Sequence, residues 1–142
     1  MPEDTIVEAR WADNGPPWRL LVLESAEAVL AAKPEARAPV GTDIGLAGPS
    51  GGADGADWEL RAFFTDQHGL LVEDPVTGSF NAGVASLMLG KPGAPAAMRA
   101  AQGRCVGADG RIAWSRDAGG TVWVGGRCDM IAAGAEVLCS AP

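Results

Sequence analysis

The stretch EDPVTGSFNAGVASLMLG, from Glu73 to Gly90, combines residue types that can bind an anion and move a proton. Adjacent carboxylates lead into a proline, and Thr77, Gly78 and Ser79 follow at the start of a long run without charge. A carboxylate can exchange a proton with a bound molecule, and the N–H groups at the start of a helix can hold an anion. The pattern fits a site for a small acid, and it also fits an ordinary capped helix.

The run from Ser79 to Gly90 predicts a buried helix, because apolar or small residues cover every face of it. The first N–H groups of such a helix have no partner within it and need an acceptor. Thr77 could supply one as the N-cap, Glu73 or Asp74 could fold over the end, or a bound anion could do so. The residues alone leave both the capped helix and the binding site open.

The rest of the sequence predicts a β-rich frame for this helix. Thr5 to Glu24 reads as a hairpin, with an alternating strand on each side of the turn DNGPP. Ser25 caps a short helix that Pro34 ends. Further strands are predicted in VGTDIGLAG, WELRAFF, RAAQGRCVG, GRIAWSRD, TVWVGG and CDMIAAGAEVLC. The prediction is an α+β fold, a twisted and mostly antiparallel sheet with one hydrophobic helix between its strands.

The totals limit the function classes. A length of 142 residues fits one domain, and a hydrophobic content of 47% is enough for a core. A formal net charge of −7 argues against nucleic acid as a partner, because such binding needs a basic surface. The sequence contains no apolar run long enough to span a membrane. The acidic first residues lack the pattern of a signal peptide, so a cytoplasmic protein is expected.

The cysteines and the single histidine do not suggest a metal site. Cys105, Cys128 and Cys139 are far apart and form no CxxC pair. Buried thiols in a reducing compartment are expected instead. His68 lies in a polar loop and is expected to be exposed, and the tryptophans in or beside strands are expected to serve packing.

The stretch from Glu73 to Gly90 resembles the signature of the PhzF-like isomerases, the phenazine-biosynthesis family, which share the diaminopimelate-epimerase fold. Three flanking segments also resemble that family: WADNGPPWRLLVLESAEAVLAAKPE, LRAFFTDQHGLLVEDP and RAAQGRCVGADGRIAWSRDAGGTVWVGGRC. The family has two similar lobes, each a sheet wrapped around a central helix, with the site between the two helix starts. The resemblance covers essentially the whole chain but matches the second, C-terminal lobe only.

The resemblance therefore implies that residues 1–142 form a single lobe, without the first lobe that carries the family's proton-shuttling glutamate. It implies that Asp74 and Ser79 are the catalytic residues. It also implies substrate contacts from Gly78, Ser79, Thr77, Asn14 and Gly15. A plain hairpin turn explains Asn14 and Gly15 equally well. Phe80 stands where the family has a small residue and is expected to narrow the cleft.

The function implied is a biosynthetic, cofactor-independent isomerase or epimerase that shifts a proton on a small carboxylic acid, with no metal. Related racemases have a cysteine where Ser79 stands, so a two-thiol mechanism is not expected. The missing lobe would come from a partner chain or from a second copy of this chain as a dimer. The alternatives are a homodimeric module that binds small carboxylates and an inactive isolated lobe.

Overall fold

The computed structural model describes residues 5–52 and 54–128. The described part contains eight strands and two α-helices. The strands are β1 Ile6–Asp13, β2 Pro17–Leu23, β3 Asp43–Pro49, β4 Trp58–Thr65, β5 Leu71–Asp74, β6 Ala97–Gln102, β7 Gly110–Arg116 and β8 Val122–Gly126. The helices are α1 Ala26–Ala31 and α2 Gly78–Leu89. The hairpin and both helices agree with the sequence prediction, whereas β5 was not predicted. The strand predicted in CDMIAAGAEVLC lies, beyond Cys128, outside the described residues.

The sheet is mostly antiparallel, as predicted. Its strands follow the order β1-β2-β3-β4-β6-β7-β8, and β5 pairs with β4. The parallel pairs are β2 with β3 and β4 with β6. Parallel neighbours need a crossover connection. The first crossover contains α1, which Ser25 caps by accepting a hydrogen bond from the Ala28 N–H at 3.2 Å, and the second contains α2.

One edge of β4 is shared by two strands. β5 pairs antiparallel with residues 62–65, and β6 pairs in parallel with residues 58–60. Asp74, the last residue of β5, lies opposite Ala62, and Gln102, the last residue of β6, lies opposite Leu60. The carboxyl ends of β5 and β6 therefore meet beside β4, and α2 begins a few residues after one of them.

The sheet separates two apolar clusters. Helix α2 packs against β1, β2, β7 and β8, and α1 packs against β2, β3 and β4. The buried residues of α2 are Phe80, Asn81, Gly83, Val84, Ala85, Met88 and Leu89. Phe80 tilts against Trp18 with ring centroids 5.2 Å apart, and its ring fills the space that a side chain at Gly45 would need. Phe80 points into the core, so the expectation that it narrows a cleft is wrong.

Several side chains expected to be buried are exposed. Trp18 and Trp114 are buried as expected, but Trp11 is 58% and Trp123 60% exposed. Cys105 and Cys128 are free and exposed, which contradicts the expectation of buried thiols. Cys139 lies outside the described residues. His68 is exposed, as predicted.

Strand β4 buries a carboxylate that accepts no hydrogen bond from the described residues. Glu59 is 1% exposed, and both of its oxygens lack a hydrogen-bonding partner. Arg104 Nε lies 3.2 Å from Oε2, close enough for an ion pair but not aligned for a hydrogen bond. Burial raises the pKa of Glu59 to about 7, although the charges of Arg111 and Arg61 oppose this change.

Glu59 should make stability depend on pH. Its folded-state pKa lies above the ordinary value of 4.5, so its contribution to stability is complete below that value and is lost as pH rises through about 7. Between pH 4.5 and 8, the free energy of unfolding should fall by on the order of 2 kcal/mol relative to the Glu59→Gln variant. Urea denaturation across this range measures the difference. The exposed Glu24→Gln variant is the control and should follow the wild type. A pH-independent difference between wild type and Glu59→Gln would contradict this prediction.

Candidate functional site

The first turn of α2, residues 77–80, is called the α2 start below. Thr77 occupies the N-cap position with extended backbone angles, φ −111° and ψ 104°, but its side chain makes no capping hydrogen bond. Its Oγ1 instead donates to Asp74 Oδ2 at 2.6 Å. The hypothesis that Thr77 caps the helix with its side chain is therefore wrong. No side chain among the described residues accepts a hydrogen bond from the N–H groups of residues 78–80.

A buried amide side chain joins the two strand ends to the α2 start. Gln102 Nε2 donates to the Asp74 carbonyl and to Thr77 Oγ1, both at 3.0 Å. Gln102 Oε1 accepts from the Thr77 N–H at 3.2 Å and from Asn81 Nδ2 at 2.8 Å. Asn81 Oδ1 in turn accepts from Trp114 Nε1 at 3.2 Å. Since Gln102 and Asn81 are fully buried, this network satisfies polar groups that have no access to water.

The network fixes the direction of the Thr77 hydroxyl group. Because Gln102 Nε2 donates to Thr77 Oγ1, the hydroxyl hydrogen points to the other neighbour, Asp74 Oδ2. Asp74 therefore accepts this hydrogen bond at Oδ2. Its Oδ1 accepts no hydrogen bond from the described residues.

Gly78 lines an open groove of about 790 Å³ beside the α2 start. Asn81 of the helix and Gly125 and Gly126 of β8 also line it, together with Arg111. Arg111 is paired with Asp109 at 2.8 Å and with Asp54 at 3.3 Å, so its charge is largely balanced. Asp74 and Ser79 are half-buried and are not among the residues that line this groove.

Ser79 is tied to the β1–β2 hairpin. Its Oγ accepts a hydrogen bond from Trp18 Nε1 at 3.1 Å, which leaves the serine hydrogen free to donate elsewhere. Asn14 and Gly15 lie exposed in the hairpin turn, where the Gly15 N–H donates to Asp13 Oδ1 at 3.1 Å. Within residues 5–52 and 54–128, neither Asn14 nor Gly15 is hydrogen-bonded to α2. The hairpin thus reaches the α2 start through Trp18, which the sequence did not indicate.

The adjacent carboxylates of the motif face opposite sides of the sheet. Glu73 forms a bidentate ion pair with Arg61, at 3.0 and 2.7 Å. Arg61 also donates to the carbonyls of Val29 and Ala32, at the end of α1. Successive side chains of a strand point to opposite faces of the sheet, so Glu73 lies on the α1 side and Asp74 on the α2 side. Glu73 is thus not an acceptor for the α2 start.

Sequence reasoning missed Gln102, Asn81 and Trp114 as part of this site. The available signal was Gln102 and Asn81 themselves, each an amide residue in a strand or helix made mostly of apolar and small residues. Buried amides of this kind need partners, and the start of α2 offered them.

The described residues contain no cluster of three or more His, Cys, Asp or Glu side chains that could hold a metal ion. No described helix is long and apolar enough to cross a membrane.

Comparisons with known proteins support the fold. No family model matches this sequence, and no curated protein matches it. Among solved structures, the chain is similar to the crystal structure of the Bacillus anthracis phenazine biosynthesis protein of the PhzF family, with a TM-score of 0.59 and 15% identity. The match covers 78% of this chain and 41% of that protein, so the chain spans less than half of its length. The chain has a PhzF-like fold.

Gln102 should be essential to the stability of the α2 start. Gln102→Leu removes its hydrogen bonds to Asp74, Thr77 and Asn81 and leaves buried groups without partners, at a cost of about 2–4 kcal/mol in the free energy of unfolding. The urea midpoint measures this loss. The exposed Gln67 is the matched control, and Gln67→Leu should change stability by less than about 0.5 kcal/mol. Equal effects of the two variants would refute the structural role of Gln102.

Proposed function

We propose that this chain is the second lobe of a PhzF-like isomerase that shifts a proton on a small carboxylic acid without a cofactor. One observation carries the proposal: the N–H groups of residues 78–80 have no side-chain acceptor, and Thr77 holds the carboxylate of Asp74 beside them. The PhzF-like fold supports the same family. The resemblance of the motif to the family signature assigns Asp74 and Ser79 the same roles.

The carboxylate of the substrate would bind at the α2 start. The N–H groups of Gly78 and Ser79 and the helix dipole all favour a negative charge there. The Ser79 hydroxyl, which already accepts from Trp18, can add a third donor. Exclusion of water by a second lobe would strengthen each of these interactions.

Asp74 would act on the proton. Thr77 holds its Oδ2, and its Oδ1, which accepts no hydrogen bond from the described residues, would take the proton as a general base. A glutamate of the first lobe would return a proton, as the resemblance to the family implies. This chain resembles the second lobe only. A partner chain or a second copy would supply the facing lobe, and exposed Trp11 and Trp123 offer apolar contacts for one.

A homodimeric module that binds small carboxylates without turnover is the second candidate. It is favoured by the α2 start itself, since one helix start can bind an anion without any proton transfer. An inactive isolated lobe would show neither binding nor turnover. The mass of the protein in solution separates a lone lobe from both paired arrangements.

Anion binding can be tested by removing one N–H group. Gly78→Pro deletes the donor at the first helical position, where proline is well tolerated, and the extended Thr77 backbone suits a following proline. We expect about tenfold weaker binding of malonate or benzoate, because a hydrogen bond to a charged group is lost. Gly78→Ala keeps the N–H and meets no neighbouring atom, so it is the matched control. Chemical-shift titration measures both variants, and unchanged affinity in Gly78→Pro would place the anion elsewhere.

Proton transfer can be tested by solvent exchange in D2O. The full chain, alone and with any co-purifying partner, is incubated with a panel of small unsaturated and α-amino carboxylic acids, and NMR follows deuterium incorporation. Asp74→Asn should lower exchange by about 10²-fold or more, because a general base is lost, while carboxylate binding persists. Ser79→Ala should weaken binding only modestly, because the backbone donors are unchanged. Full exchange in Asp74→Asn would contradict the catalytic role, and binding without exchange in the wild type would favour the second candidate.

A further inference from the structure

A second cavity, of about 320 Å³, lies on the α1 side of the sheet and is called the α1-side pocket below. Its floor is apolar and comes from four neighbouring strands: Leu21, Ile44, Leu46, Phe63 and Leu71. Leu46 is 5% and Phe63 3% exposed, so the floor is part of the core. These side chains belong to the cluster around α1, whereas the α2 start lies on the other face of the sheet. The pocket is therefore separate from the candidate active site.

Hydrogen bonds hold the wall of the α1-side pocket in place. Residues 33–42 form this wall, between α1 and β3. At one point the Ala38 N–H donates to the Gly69 carbonyl, and the Leu71 N–H donates to the Ala36 carbonyl, both at 3.0 Å. At its end the N–H groups of residues 41 and 42 donate to the Thr65 hydroxyl oxygen, at 2.9 and 3.0 Å. A pocket with such a wall is preformed, and its volume falls within the range of about 300–1,000 Å³ typical of ligand sites.

Charged side chains line the edge of the pocket. Lys33, Glu35 and Arg37 lie there and are exposed, and the charge of Arg37 also acts on the nearby Asp66. Arg37 Nη1 donates to the His68 carbonyl at 2.9 Å, which holds the guanidinium group and leaves its other donors available. No hydrogen bond or ion pair within the described residues engages the Lys33 ammonium group.

We propose that the α1-side pocket binds a medium-chain aliphatic monocarboxylic acid. The alkyl chain lies against the apolar floor, and the carboxylate lies at the edge, near Lys33 and Arg37. A cation beside a concave apolar surface selects an amphipathic anion over a neutral apolar molecule, which gains nothing from the charges, and over a polar anion, which gains nothing from the floor.

Chain length and head-group charge test the proposal. Calorimetry of the full chain at pH 7 should show saturable binding of octanoate, with affinity rising roughly fourfold per methylene from butanoate to octanoate. Octanol, with the same chain and no charge, should bind several-fold more weakly. Binding that does not depend on chain length, or octanol affinity equal to that of octanoate, would overturn the proposal.

Variants locate the ligand. Lys33→Gln should weaken octanoate binding about three- to tenfold, whereas Lys91→Gln, at the only other lysine and also exposed, should not change it. Ile44→Phe, which fills the half-buried part of the floor, should abolish binding. Equal losses in Lys33→Gln and Lys91→Gln would show that octanoate binds elsewhere and would refute the site.

Discussion

Two strand ends that meet on one edge of β4 are the constraint on which the rest of this structure depends. β5 ends at Asp74 and β6 ends at Gln102, which leaves a gap between the two strand ends along β4. Neither strand supplies hydrogen-bonding partners for the backbone groups in this gap. A buried backbone N–H or carbonyl without a partner is costly, so the gap needs a side chain that both donates and accepts. Gln102 has that chemistry. It binds the Asp74 carbonyl and the Thr77 N–H with its own amide, and so sets where α2 can begin.

The chemistry at the α2 start follows from this arrangement. Gln102 Nε2 donates to the Thr77 hydroxyl oxygen, so the hydroxyl group donates to Asp74 and does not cap the helix. The N–H groups of residues 78–80 are thereby left without a side-chain acceptor, and the nearby Asp74 Oδ1 accepts no hydrogen bond from the described residues. A side-chain cap would have stabilised the helix by about 1 kcal/mol. The fold forgoes that stabilisation at the start of α2.

The two faces of the sheet have separate tasks. The α2 side carries the polar network and the groove beside the α2 start. On the α1 side, Arg61 joins Glu73 to the last carbonyls of α1 and thereby holds the short helix on the sheet. The wall of the α1-side pocket follows that helix and is held by other hydrogen bonds, to Gly69, Leu71 and Thr65. The adjacent carboxylates Glu73 and Asp74 link the two faces, since each serves one side.

The sequence by itself determined the elements that depend on local pattern. Alternation predicted the β1–β2 hairpin, Ser25 marked the start of α1, and the lack of charge from Ser79 to Leu89 predicted α2, because these signals lie within one element. Only the tertiary structure decided how distant residues pair. It brought Gln102 to Thr77 across 25 positions, directed Phe80 into the space left by Gly45, and left Trp123 exposed. Local periodicity sets the face on which a side chain lies, but the partner on that face comes from another strand, and pairing between strands is a property of the whole fold.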